Sequence, residues 1–149
     1  MAPLIAAGLF ALFSAAGGIW FLRRMADKSE ASMRERFPEA LLVVRGALFY
    51  GQQSKGVKQL RGNGTLVVTS GEIIFERWLP KAEYRIRIAD ITSVDTPRGF
   101  LGKNTGRLLL AVSYSSLTGQ SDAMAWDVRD LNAVKSRIES SCTRPFCVF

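Results

Sequence analysis

Histidine is absent from all 149 residues, and that gap removes whole chemistries. Neither a Ser-His-Asp nor a Cys-His arrangement can be built, and no metal site with imidazole ligands can form. Cysteine is nearly as scarce. Cys142 and Cys147 are too few for a zinc site without other ligands. Cys147 stands third from the end, outside the position that prenylation requires. The stretch GFLGKNTG (99–106) glances at a phosphate loop but fails its spacing. Pro97 occupies the position five before Gly102 where glycine is needed, and Asn104 replaces the magnesium-holding Ser or Thr. These gaps point to a non-catalytic protein without cofactor or metal.

Charge is missing from one long stretch. Ala2 to Leu22 contains no Asp, Glu, Lys or Arg across 21 residues. As a helix it would reach about 31 Å, close to the hydrocarbon thickness of a bilayer. No basic side chain precedes this run, whereas Arg23 and Arg24 follow it, the reverse of a secretory signal. Trp20 and Phe21 sit beside the Arg pair, where an aromatic belt meets headgroups. Residues 1–23 are therefore expected to form a transmembrane anchor, with Trp20, Arg23 and Arg24 at the interface. The positive-inside bias places the folded part on the cytoplasmic side. Ala7, Ala11 and Ala15 recur every four residues, a small-residue face on which two anchors can pack as a homodimer. Ser14-Ala15-Ala16 imitates a cleavage site. The competing expectation is an exported small β-barrel binding an apolar ligand, in which the two cysteines pair. From Arg23 to Arg36 five basic and three acidic residues alternate before Phe37-Pro38 interrupts the helix, so residues 24–38 read as a charged helical spacer.

The folded part follows. Net charge is +7, and the excess is local: 11 basic residues against 5 acidic lie between Arg45 and Arg107, but 4 against 4 from Leu108 onward. An anionic partner is the expectation. LLVVRGALFY (41–50), GTLVVT (64–69) and EIIFERW (72–78) read as strands, with Ser70-Gly71 as the tight turn of a hairpin. In EYRIRI (83–88), Tyr84, Ile86 and Ile88 share one face and Arg85 and Arg87 the other, a period of two. ITSVD (91–95), LLLAVSY (108–114) and DAMAWDV (122–128) complete the set, Met124, Trp126 and Val128 being aligned in the last. RDLNAVKSRIES is helical, with Leu131, Val134 and Ile138 on one stripe and Asp127 or Asp130 placed to cap it. About seven short strands and one amphipathic helix predict a mainly β, antiparallel barrel or sandwich closed by that helix.

The order of these motifs resembles the pleckstrin-homology-like superfold, in particular its GRAM-type and small bacterial members. The resemblance is carried by G-T-L-V-V-T at 64–69, I-I-F at 73–75 and I-R-I-A-D-I-T-S-V at 86–94, and covers roughly residues 41–141. It implies a PH-like domain over residues 39–141 and a tail at 142–149. It speaks for fold far more than for activity. Two departures accompany it. Trp126 precedes the closing helix, whereas many members carry a tryptophan within it. Lys55, Lys58 and Arg61 are spaced by threes, unlike the close basic grouping of phosphoinositide binders.

Two loops carry the candidate binding residues. YGQQSKGVKQLRGNG (50–64) holds Lys55, Lys58 and Arg61 and no acid. PRGFLGKNTGR (97–107) sets Phe100 and Leu101 among Arg98, Lys103 and Arg107. An apolar pair in a basic loop suits the surface of an anionic membrane, and the same composition suits an acidic protein surface. Alternatively the pair folds back and plugs one end of the barrel. The expectation is a single-pass membrane protein whose domain recognises anionic lipid headgroups or a membrane-bound protein partner. Its competitor is a scaffold or assembly subunit of a membrane complex. Nucleic acid is not an expected partner, since only the pI of 9.9 suggests it.

Overall fold

A computed structural model describes residues 2–142, with side chains described from residue 16 onward. The Ala7, Ala11 and Ala15 side chains and the tail beyond Cys142 lie outside that range.

The chain opens with helix α1 (Ala2–Arg36). The expected anchor is corrected here: among the described residues no helix is long and apolar enough to cross a membrane. Single-pass topology with the domain on the cytoplasmic side has no support from this helix. The physical reason is visible in its described turns. Arg23, Arg24, Asp27, Lys28, Glu30, Arg34, Glu35 and Arg36 crowd residues 16–36, and each charge is costly in hydrocarbon. Nor is the charged stretch only a spacer. Ala26 and Met33 are buried, and Met33 packs with Val67 and Ile74 of the sheet. The Ser29 hydroxyl bonds to Thr65 at 2.9 Å and donates to Glu76 at 3.1 Å. Arg36 closes the helix by bridging Glu76 at 3.3 Å and Glu83 at 2.7 Å.

Among the described residues nine strands follow: β1 (Leu42–Gln52), β2 (Gly62–Val68), β3 (Glu72–Arg77), β4 (Ala82–Arg87), β5 (Ile91–Asp95), β6 (Gly99–Phe100), β7 (Lys103–Asn104), β8 (Leu110–Ser115) and β9 (Ser121–Asp127). Helix α2 (Leu131–Ser141) ends the described chain, its start capped by the Asp130 carboxylate, which accepts from the Ala133 N–H. Seven strands form one antiparallel sheet in the order β4-β3-β2-β1-β9-β8-β5, and β6 and β7 make a separate small hairpin. Strand β1 is the corner. It pairs with β2 over Leu42–Phe49 and with β9 over Leu48–Gln52, and register shifts at Arg45/Ala47 and Phe49/Gly51 bend it between the two halves.

The inner face holds the core. Phe49 stacks on Phe75 at 5.3 Å and meets Trp126 at 5.9 Å, and Val134 and Ile138 of α2 join the same cluster. The outer face is covered in two parts. Helix α1 lies over Val67 and Ile74, and the β6–β7 hairpin brings Phe100 onto Tyr50, Leu109 and Ala111. Strands β2 and β3 are thus buried on both faces. Gly64 shows how tightly they pack, since a Cβ there would strike the Glu76 carbonyl and the Phe75 ring.

The expected barrel does not close. Strands β4 and β5 stand at opposite ends of the sheet and do not pair. Glu83, Arg85 and Arg87 keep the β4 edge in water through ion pairs of Arg85 with Glu72 and Glu83, and of Arg87 with Asp90. The amphipathic helix seals the inner face instead. What holds of the predicted architecture is a mainly β, seven-stranded antiparallel sheet with a C-terminal helix.

Candidate functional site

The two basic loops singled out in the sequence leave β1 and precede β8, and the fold brings them together at Gly51. The end of β1 is held by a buried carboxylate. Asp122 Oδ1 accepts from the N–H groups of Ser54 and Ala123, both at 2.9 Å. Its Oδ2 accepts from Gln52 Nε2 at 2.6 Å, Ser54 Oγ at 2.8 Å and the Tyr114 hydroxyl at 3.0 Å. Burial pushes the Asp122 carboxyl up, but donation from Gln52, Ser54 and Ala123 outweighs it and holds the group below the usual carboxylate range. Burial, then the bond to Asp122, pushes the Tyr114 hydroxyl well above its ordinary value. Gln59 ties off the far side of the loop: Gln52 N–H donates to its Oε1 at 2.9 Å, and its Nε2 donates to the Gln52 carbonyl at 2.6 Å.

The second loop is a hairpin whose central residues, Leu101 and Gly102, both have positive φ, +52° and +72°. That is the twist a two-residue hairpin turn requires. A leucine in this region costs roughly 1–2 kcal/mol. The side chain lies against Gly51, where a Cβ would come within 3.0 Å of Leu101 Cδ1 and 3.2 Å of Gln59 Nε2. Gly51, itself at φ +132°, is where the two loops touch. Phe100 is half-buried against Tyr50, so the apolar pair turns inward.

The cations stay outside. Lys55, Lys58, Arg61, Arg98 and Arg107 are exposed and Lys103 is half-exposed. Arg61 lies 4.5 Å over the Tyr50 ring, and Lys55 lies 5.3 Å from the Tyr84 ring. Arg98 donates to the Gly106 carbonyl at 3.3 Å. Among the described residues only Arg107 of these six has a carboxylate near, Asp127 at 3.7 Å. The interface residues Trp20, Arg23 and Arg24 lie elsewhere, exposed on α1, with the Arg24 guanidinium 5.3 Å over Trp20.

Sequence reasoning missed the groups that hold this face: Tyr50, Gly51, Gln59, Tyr84 and Asp122. For Asp122 a signal existed. It falls in the same period-two register as Met124, Trp126 and Val128, which places an acid on a buried face. Among the described residues no cluster of three or more His, Cys, Asp or Glu is disposed to hold a metal.

No family model matches the chain, and no curated protein matches it. The expected membership of the PH/GRAM group with an N-terminal anchor is therefore withdrawn. A crystal structure of the C-terminal domain of an unknown protein from Leishmania infantum is similar in fold, with a TM-score of 0.53 and 13% identity. The match covers 77% of this chain and 98% of that one.

Proposed function

We propose that the chain is a non-catalytic recognition module that docks an anionic partner on the face formed by its two basic loops. The observation that carries this reading is the convergence at Gly51 of two acid-free loops, 50–64 and 97–107, whose cations Lys55, Lys58, Arg61, Arg98 and Lys103 have no carboxylate partner among the described residues. Elsewhere most arginines on the sheet are neutralised, as Arg45, Arg85 and Arg87 are, and so is Arg36 at the end of α1. The inward turn of Phe100 and Leu101 favours an acidic protein surface over a lipid surface entered by apolar side chains.

Poly-L-glutamate is a suitable probe for the full chain, set beside vesicles with and without phosphatidylserine. Reversing Lys55, Lys58, Arg98 and Lys103 to glutamate should weaken polyglutamate binding about tenfold, four exposed contacts each contributing a few tenths of a kcal/mol. Reversing Lys135 on α2 should leave it unchanged. Equal binding by the parent and the four-site variant overturns the assignment. If the loop reversal alters only vesicle binding, the partner is lipid rather than protein.

A further inference from the structure

A second surface, adjoining the two-loop face through Arg77, combines an apolar floor with a basic rim. Ile19, Trp20, Phe21 and Leu22 form a consecutive run on α1 that is between 48% and 61% exposed. Where this run meets the sheet, a groove of about 330 Å³ opens between α1 and the β3–β4 connection. That is the lower end of small-molecule pockets, roughly 300–1,000 Å³. Phe21, Met25 and Trp78 supply its apolar lining, and Lys28, Arg77 and Lys81 its charge. Trp78 is fixed there, its indole N–H donating to Thr65 Oγ1 at 3.2 Å.

The charges are not used up inside the protein. Lys28 has no carboxylate within ion-pair distance among the described residues. Arg77 directs Nε and Nη1 to the Pro80 and Leu60 carbonyls at 2.9 and 3.3 Å and has no acidic partner among the described residues. Lys81 is 80% exposed and reaches Glu76 only at 4.0 Å. Glu76, the one acid in the groove, is already held by Arg36 and Ser29, so it offers little repulsion to an incoming anion.

We propose that this groove binds an anionic single-chain amphiphile of the fatty-acid type. The chain lies over Phe21, Met25 and Trp78, and the headgroup meets Lys28 and Lys81. An uncharged apolar ligand would leave the rim unused, and a small inorganic anion would leave the floor exposed. Only a molecule with both parts matches the groove.

The test reads fluorescence quenching of Trp78 by dibromostearate in the full chain carrying Trp20→Phe. Trp126 is 1% exposed and lies in the core, so any quenching left in Trp78→Phe is assigned to it and subtracted. Saturable quenching is expected, and Trp78→Phe should abolish it. Lys28→Glu with Lys81→Glu, both at exposed positions, should weaken it about tenfold through the loss of two exposed contacts. Equal quenching by brominated dodecyl maltoside shows adsorption without headgroup recognition and overturns the proposal. So does quenching that survives the double reversal, or that affects only the parent chain through Trp20.

Discussion

At the scale of single residues, Asp122 organises more than any other side chain. Five donors from Gln52, Ser54, Tyr114 and Ala123 converge on a carboxylate that is only 5% exposed. Its pKa is held down in the folded state. The stabilisation is therefore complete above the unfolded value, near about 4, and is lost as pH falls through the lower folded value. Asp122→Asn should destabilise the protein by about 1–3 kcal/mol at neutral pH, because donors lose a charged acceptor. It should also flatten the decline in stability below about pH 4. Urea midpoints at about pH 7 and about pH 3 check both parts. A variant with unchanged stability at neutral pH would show that the network is ornamental to the fold.

At the scale of elements, α1 is the least expected part of the architecture. The strands were legible because apolar and polar residues alternate, as in Tyr84-Arg85-Ile86-Arg87-Ile88, where the isoleucines are buried and the arginines exposed. The cap on α2 was legible only as a choice of two acids, Asp127 or Asp130, ahead of a clear apolar stripe, and Asp130 is the one that caps. The docking of α1 was harder to see. Its sheet-facing stripe runs through buried Ala26 and Met33 and half-buried Ser29, at helical spacing but with one large apolar residue among many charges. The β6–β7 hairpin was hidden by its two-residue strands. Whether the sheet closes is not legible in the sequence, because no local pattern records which distant edge a strand meets, and β4 and β5 end unpaired with each other. Of the candidate site, the cations were readable from composition, whereas the contact at Gly51 is non-local and was not. Met33 gives the direct test of this element. Fully buried between the helix and the sheet, it should cost about 2–5 kcal/mol when changed to alanine, measured by denaturant unfolding. Arg34→Ala, on the exposed side of the same turn, should cost less than about 0.5 kcal/mol. Equal effects of the two would mean that α1 contributes nothing to the stability of the sheet.

At the scale of the whole molecule, the charge excess of +7 is not spread evenly. The ion pairs gather around α1, β3 and β4, where Arg36, Glu76, Glu83, Arg85 and Glu72 neutralise one another, and the two loops are left positive. Docking through exposed cations should weaken steeply with ionic strength, because the Debye length falls from roughly 10 Å at 0.1 M to about 3 Å at 1 M. Polyglutamate affinity measured across that range should drop several-fold, and a flat profile would point to apolar docking instead. The helix carries one more consequence. Its backbone runs without a break from the exposed turns at Ile19–Leu22 into the turns seated on β2 and β3. There is no swivel between the two. A ligand bound at the outer turns would therefore sit on the same continuous helix that is seated on the sheet, and its bearing on the basic loops would be set by that helix rather than by a flexible link.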